Sequence, residues 1–470
     1  MSSRDYFAGI LPPTMGEILN SREERAAIQR RLIGEYKTPL ICLTINTPGR
    51  YKNYPLALHT ADEGCLAISR ILQSAGMPPS YDVRQLDLPT GPQAFFCVPG
   101  NETLLKRLMM GIEDTHPLGR LFDIDVFGLN ALPLKGEGFG RGQRRCIICG
   151  ESVWVCSRSR AHPYEQLANR TAQIAHDFFV GRKAQQFCRL AIRALLYEVS
   201  ITPKPGLVDR STNGAHTDMN FFTFIDSGCA LIPYFEQAAL SAIRFEGQPE
   251  QLGGLLPSIK TLGMLAEGEM LAATGGVNTH KGAIFSLGII CAAAGYLYGR
   301  GEKLTAGALF DVCAAIAAPA LAEFCGDDNF GGCTYGRAAY ARQSIMGARG
   351  QAAAGFPAVS KVGLPTLMRY LQSGLTLEEA GVLTLLHLIA TVDDTNIIGR
   401  AGSGVLGDIQ AKIGALLQNH LQNPAGLLKA ADKLEREFIV QNLSPGGSAD
   451  LLALTLFVYW VVGMDFPPMA

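Results

Sequence analysis

The sequence has no charge excess of either sign. Its 470 residues carry 41 Lys and Arg against 42 Asp and Glu, which removes any global electrostatic reason to expect nucleic acid or an anionic membrane as a partner. The opening MSSRDYFAGILPPTM lacks the basic stretch and apolar run of a secretory signal, so the chain is expected in the cytoplasm. Internal repeats and low-complexity tracts are absent as well. The most apolar runs, 282–298 and 451–462, are rich in Gly and Ala or too short to cross about 30 Å of hydrocarbon comfortably; both read as buried helices. Twelve cysteines in so long a chain are too sparse for the disulfide framework of a small exported domain. In a reducing compartment they read as thiols or metal ligands.

What is present divides in two. The length exceeds what one hydrophobic core usually serves. Charge is also uneven, +4 over residues 1–183 and −5 over the remainder, as two units with different ligands would show. Between about residues 23 and 150 the periods mix, with helical spacing around 21–34 and short β-branched runs at 40–45 and 95–98. Pro48-Gly49, Pro78-Pro79 and Pro99-Gly100 break this half into short elements, and PLGRLFDIDVF predicts a strand over 118–127. The pattern predicts an α/β or α+β fold. After about residue 185, helical segments rich in Ala, Leu and Gly at 186–199, 263–273, 281–299, 376–390 and 449–462 predict an all-α fold. The junction falls within 162–183 and is itself expected to be helical, giving domains at 1–175 and 185–470.

In the second half five loops combine glycine with charged or amide residues beside apolar helices: TPKPGLVDRSTNGAHTDM, TGGVNTHKGAIF, GARGQAAAGFP, DDTNIIGRAG and SPGGSAD. In the second of these, Asn278, His280 and Lys281 precede a helix whose first amides would face an anion. In the last, Ser444, Gly446 and Gly447 form a small-residue turn at another helix start, which is equally an ordinary N-cap. Asp209, Asp218, Asp393, Asp394 and Asp450 all fall in these loops, and hard carboxylate oxygens are what Mg²⁺ with a polyphosphate requires. Lys204, Arg210, Lys281, Arg349 and Arg400 would then neutralise phosphate oxygens. Any one of these residues taken alone reads as well as a cap or a surface ion pair.

In the first half, Asp123 and Asp125 stand at i and i+2 of the predicted strand, so they share a face and can hold one Mg²⁺ between them. His116 and Arg120 are close in sequence, and Lys52 in LTINTPGRYKNYPL offers a further phosphate contact. Cys146, Cys149 and Cys156 follow C-x2-C-x6-C, with His162 six residues on. They make either a Cys3His zinc site or a group of free thiols.

The five loops resemble, in order and wording, triphosphoribosyl-dephospho-coenzyme A synthase, the family that serves citrate lyase and malonate decarboxylase, over nearly all of 190–462. The strings TPKPGLVDR, ATGGVNTHKGAIFSLG, DTN and LSPGGSADLLA carry the resemblance. It implies that the ribose 2′-hydroxyl of 3′-dephospho-coenzyme A attacks C1′ of the ribose of ATP and adenine leaves. Asp393 or Asp394 would then serve as base or metal ligand, and His216 or His280 would contact adenine or phosphate. DDTN also resembles, weakly, the metal loop of all-helical hydrolases of ADP-ribose bonds, which would release the base without an acceptor. Residues 21–165 resemble apo-citrate lyase phosphoribosyl-dephospho-coenzyme A transferase, through TINTPGRYKNYPL, DLPTGP, HPLGRLFDIDV and RRCIICG…VCSRSRAH. That resemblance implies a nucleotidyltransferase-like fold. It also implies transfer onto a serine of the citrate lyase acyl carrier protein subunit with release of pyrophosphate, Asp123 and Asp125 being the catalytic candidates.

Overall fold

The first helix starts where its sequence supplies both halves of a capping box. Thr14 Oγ1 accepts from the Glu17 amide at 3.2 Å, and the Glu17 carboxylate accepts from the Thr14 amide at 2.7 Å. The structure is a computed structural model in which residues 5–140, 142, 144–322 and 347–463 are described. Two units divide between Phe179 and Val180.

In the first unit, α1 (Met15–Tyr36) leads into β1 (Leu40–Ile45), α2 (Pro55–Ser74), β2 (Tyr81–Gln85), β3 (Gln93–Cys97), α3 (Glu102–Thr115) and β4 (Phe122–Phe127). The strands form one sheet in the order β2-β3-β1-β4 with every pairing antiparallel, so of the two expected classes the fold is α+β. The strand expected over 118–127 begins only at Phe122. Pro117 and Gly119 close a turn first, in which the Gly119 amide donates to His116 O at 2.8 Å and the Leu121 amide to Leu118 O at 2.8 Å.

Alternation along β4 sends Phe122, Ile124 and Val126 into the core that the sheet shares with α2 and α3. On the other face, Leu32 and Ile33 of α1 cover Leu40, Cys42, Phe95 and Cys97, while Asp123 and Asp125 stay exposed. The open edge of β4 is closed by side chains: Glu113 accepts the Ile124 amide at 3.0 Å and Lys106 donates to the Ile124 carbonyl at 3.4 Å. Two further helices follow, α4 (Val153–Ser159) and the 37-residue α5 (Tyr164–Ser200), inside which the two units divide.

All regular structure described in the second unit is helical. After α5, its α-helices of seven residues or more are α6 (Phe221–Ala230), α7 (Ile232–Ile243), α8 (Leu256–Ala273), α9 (Lys281–Gly299), α10 (Ala306–Ala317), α11 (Gly347–Ala353), α12 (Leu364–Gln372), α13 (Leu377–Ile389), α14 (Thr395–Ala401), α15 (Ser403–Asn419), α16 (Pro424–Val440) and α17 (Gly446–Val462). The two most apolar runs of the sequence are α9 and α17, packed against each other in the core. α9 is long and apolar enough to cross a membrane, but 83% of its most apolar window is buried among α7, α8, α10 and α17, which accounts for its composition.

Candidate active sites

The second unit gathers carboxylates where helix starts meet. Asp394 caps α14, and its other oxygen accepts from the Ser448 amide at 2.8 Å and Ser448 Oγ at 3.0 Å, in the first turn of α17. These contacts need the glycine pair of SPGGSAD. A Cβ on Gly446 would lie 2.8 Å from Asn396 Nδ2, and one on Gly447 would lie 3.2 Å from the Asp394 carboxylate. Asp450, one turn further along α17, lies against the first turn of α9, where a methyl on Gly282 would overlap its carboxylate.

Glu198, near the end of α5, completes the cluster. It takes an ion pair from Lys204 at 2.5 Å, with both side chains buried. Burial raises the proton affinity of all three acids. Glu198 is pulled back by Lys204, Asp394 by its amide donors, and Asp450 is pushed well above the ordinary aspartate value by burial and then by the charges of Glu198 and Asp394. His280 caps the start of α9 close to Lys204. Its Nδ1 shares a 2.6 Å bond with Ser227 Oγ, while Nε2 is buried and has no hydrogen-bond partner among the described residues. Burial, then the Lys204 charge, lower its pKa to about 3, so the ring is neutral.

Beside the cluster, His216 Nε2 and Ser444 Oγ share a 2.9 Å hydrogen bond. Arg400 holds the same imidazole at 3.3 Å and binds Ala215 O and Asn442 Oδ1, both at 3.1 Å. Asp218 lies 3.8 Å from His216. A Cβ on Gly347, the first residue of α11, would lie 3.3 Å from Thr395 Cγ2, so the short helix of Arg349 begins beside the DDTN loop.

Several expected ligands have other work. Asp209 is buried, with one oxygen accepting the Ser211 and Thr212 amides at 2.7 and 2.9 Å and the other the Lys204 amide at 3.1 Å. It shapes the 204–212 turn and is not free to ligate a cation with both oxygens. Arg210 pairs with Glu378, Lys281 with Glu267 at 2.9 Å, and Asn278 Oδ1 accepts the Lys281 amide at 3.3 Å, all at the surface. Asp393 is exposed beside the buried Asp394. Glu198 lies in the ordinary helical text LLYEVS, with only the burial of its neighbours on α5 to mark it.

In the first unit Asp123 and Asp125 share the open sheet face, opposite Thr44 and Cys42 of β1. Desolvation at the face and the neighbouring Asp123 charge raise the pKa of Asp125, against the opposing pull of Lys106 and Arg144. Arg144 is held by Glu113 at 2.7 Å, and with Arg120 it lines a cleft of about 410 Å³. Arg120 also donates to the carbonyl of Arg145. His116 does not face the acid pair. It packs against Phe122 on the core side, with Glu63 at 3.8 Å. Lys52 donates to Thr47 O inside its own loop.

Each unit thus pairs carboxylates with cations around an open or convergent site, the equipment of a two-site transferase for phosphate-bearing substrates. Residues 184–465 match the family described as ATP:dephospho-CoA triphosphoribosyl transferase, and residues 14–178 that described as apo-citrate lyase phosphoribosyl-dephospho-CoA transferase. Proteins called CitXG are similar over both units. One from Haemophilus influenzae is 34% identical over 94% of this chain and 94% of its own length, and one from Leuconostoc mesenteroides is 35% identical over 98% and 99%. A probable 2-(5''-triphosphoribosyl)-3'-dephosphocoenzyme-A synthase of Pectobacterium carotovorum is 44% identical over 57% of this chain and 86% of its own. The chain belongs to these two families, one per unit: it is a bifunctional transferase that makes triphosphoribosyl-dephospho-CoA and transfers the phosphoribosyl-dephospho-CoA group to apo-citrate lyase.

Proposed function

We propose that Glu198, Asp394 and Asp450 are the centre of the synthase. The observation that supports this most is three buried carboxylates with one buried lysine, gathered under the N-termini of α9 and α17. So many acids under so little positive charge suit a divalent cation, and Glu198 and Asp450, with Asp218 and Asp393 nearby, would hold Mg²⁺. When bound, the ion neutralises triphosphate charge and lowers the cost of bringing a nucleotide to an acidic site. Asp450 takes the proton from the 2′-hydroxyl of 3′-dephospho-CoA as that oxygen bonds to C1′ of the ribose of ATP, and the C1′–N9 bond breaks. The remaining carboxylate charge stabilises the oxocarbenium-like state at C1′. Neutral His280 Nε2 meets the leaving adenine, which departs protonated, the proton that Asp450 took from the hydroxyl returning to the base through solvent. Arg400, with the His216–Ser444 pair, and the first amides of α9 and α17 hold the triphosphate, which stays on the transferred sugar. Asp394 organises the site and does not act as the base, because its oxygens are occupied by the amides and hydroxyl that join α14 to α17.

In the first unit, the chemistry is nucleotidyltransferase-like. Asp123 and Asp125 would hold the second Mg²⁺, and Arg120 and Arg144 meet the phosphates of the intermediate. A serine oxygen of the acyl carrier protein subunit bonds to the phosphorus next to the ribose, its proton passes to Asp125, and pyrophosphate leaves. The test is a single incubation with ATP, Mg²⁺, 3′-dephospho-CoA and carrier protein, read by mass. Adenine, the triphosphoribosyl adduct, pyrophosphate and a heavier carrier are expected. Adenine formed equally well without dephospho-CoA would make the second unit a hydrolase instead.

Gly282 gives a sharper probe of the synthase geometry, since Gly282→Ala changes no charge yet places a methyl on the Asp450 carboxylate. Displacing a reacting group by about 1 Å can cost about 10²-fold. Adenine release by this variant is expected to fall by about that factor, measured against an unchanged transfer of pre-formed intermediate to the carrier.

A further inference from the structure

Four Cys and His residues of the first unit form a cluster to which the proposed transfer reactions give no role. Cys146, Cys149, Cys156 and His162 bring three Sγ atoms and one ring nitrogen within 4.8 Å of one another. Cys149 Sγ lies 3.3 Å from Cys156 Sγ and 3.3 Å from His162 Nε2. Zinc bound at about 2.3 Å to sulfur and about 2.0 Å to nitrogen separates its tetrahedral donors by about 3.6–3.8 Å, close to this spacing. The backbone is shaped for the same end. Residues 146–150 form a tight turn in which the Gly150 amide returns to Cys146 O at 3.1 Å, and Gly150 takes φ +77°, a conformation glycine adopts without strain. The Ile148 amide points at Cys146 Sγ at 3.5 Å, as amides do when they support a thiolate ligand. Cys156 lies in α4, and Arg160 ends that helix at φ +50°, turning the chain so that His162 comes back to Cys149.

We infer that these four residues bind one structural zinc ion, with all four positions filled by protein. Four ligands and no open position make the site closed, so its role is to fix the chain. Without an ion, α4 has little else to hold it, since none of its residues is buried and Trp154 is 61% exposed. The segment it fixes carries Arg144, whose charge acts on Asp125. The Val153 amide bonds Arg144 O at 2.9 Å, Arg145 pairs in a β-bridge with Ser152, and the Arg145 carbonyl receives Arg120. Zinc therefore positions Arg144, whose charge reaches Asp125, and the carbonyl that holds Arg120, without touching substrate. The four residues are close in sequence, so the knuckle closes locally and needs nothing from the second unit.

The test is metal content by mass spectrometry of the full chain, purified without chelator, then reconstituted with Co²⁺ after zinc is stripped. About one zinc per chain is expected, together with the intense visible bands and sulfur-to-metal charge transfer of tetrahedral Co²⁺. Cys149→Ser and Cys156→Ser are expected to lose the ion, and Cys229→Ser, an exposed thiol on α6, to retain it. His162→Cys, which keeps four ligands, is expected to retain zinc and shift the Co²⁺ bands as a fourth sulfur enters. Circular dichroism of the full chain serves as the folding control for each variant. A zinc-free protein that takes up no Co²⁺, or a Cys149→Ser protein that binds the ion as wild type does, overturns the proposal.

Discussion

Asp450→Asn is expected to melt at a higher temperature than the wild-type protein in metal-free buffer at neutral pH, while losing about 10³-fold in dephospho-CoA-dependent adenine release. Both effects follow from one environment. Burial and the charges of Glu198 and Asp394 push the Asp450 pKa well above its ordinary 3.8, so the ionised form destabilises the fold. The sign follows from proton linkage. An acid whose folded pKa lies above its unfolded value contributes stability below pH about 3.8, and that contribution is lost as pH rises through the folded value. The neutral amide removes that cost, so its advantage is largest above the raised pKa and vanishes in acid. Mg²⁺ should narrow the gap by binding the wild type more tightly than the variant. Melting curves across pH, with and without Mg²⁺, check the first effect, and mass detection of adenine checks the second. Such a trade of stability for function is what a destabilised active-site group produces.

Asp123→Asn and Asp125→Asn are each expected to reduce transfer to the acyl carrier protein by about 10²–10³-fold, the usual loss when a preorganised electrostatic contact to a reacting phosphate is removed. Both side chains lie on the open face of an edge strand whose core side is filled by Phe122, Ile124 and Val126. The substitutions therefore leave packing untouched, and a thermal midpoint no lower than that of the wild type is expected. Supplying pre-formed intermediate separates this step from synthesis. The variants should still release adenine from ATP at the wild-type rate and accumulate the adduct that they cannot transfer. A loss of adenine release instead would tie the acid pair to the other reaction.

The sequence was most legible where one residue type has one use. The apolar runs that became α9 and α17 read as buried helices once a membrane span was set aside, and SPGGSAD marked a small-residue turn at a helix start, where Gly446 and Gly447 permit a close approach. The i, i+2 spacing of Asp123 and Asp125 gave their shared face, because alternation in a strand is strict. The rest depended on contacts across long stretches of chain. Whether the first-unit strands pair parallel or antiparallel is set by tertiary connections, which local periods do not encode. Glu198 lies more than 250 residues from Asp450 in a helix with no unusual local composition, so its membership of the cluster could not be read. Asp209 and Asp394 look like the other loop acids in the sequence, yet backbone amides bind the carboxylate of each, a difference that only the folded backbone makes. His116 failed as a helper because the turn at Pro117 carries it to the core side of β4.

The most direct measurement is dephospho-CoA-dependent adenine release from ATP and Mg²⁺ by the wild-type protein and by Glu198→Gln, both confirmed as folded by circular dichroism and by intact transfer activity in the first unit. The wild type should release adenine only when dephospho-CoA is present and form the triphosphoribosyl adduct in equal amount, and Glu198→Gln should be slower by about 10²-fold or more. Wild-type rates from Glu198→Gln would show that the acids gathered under α9 and α17 are not where the synthase reaction takes place.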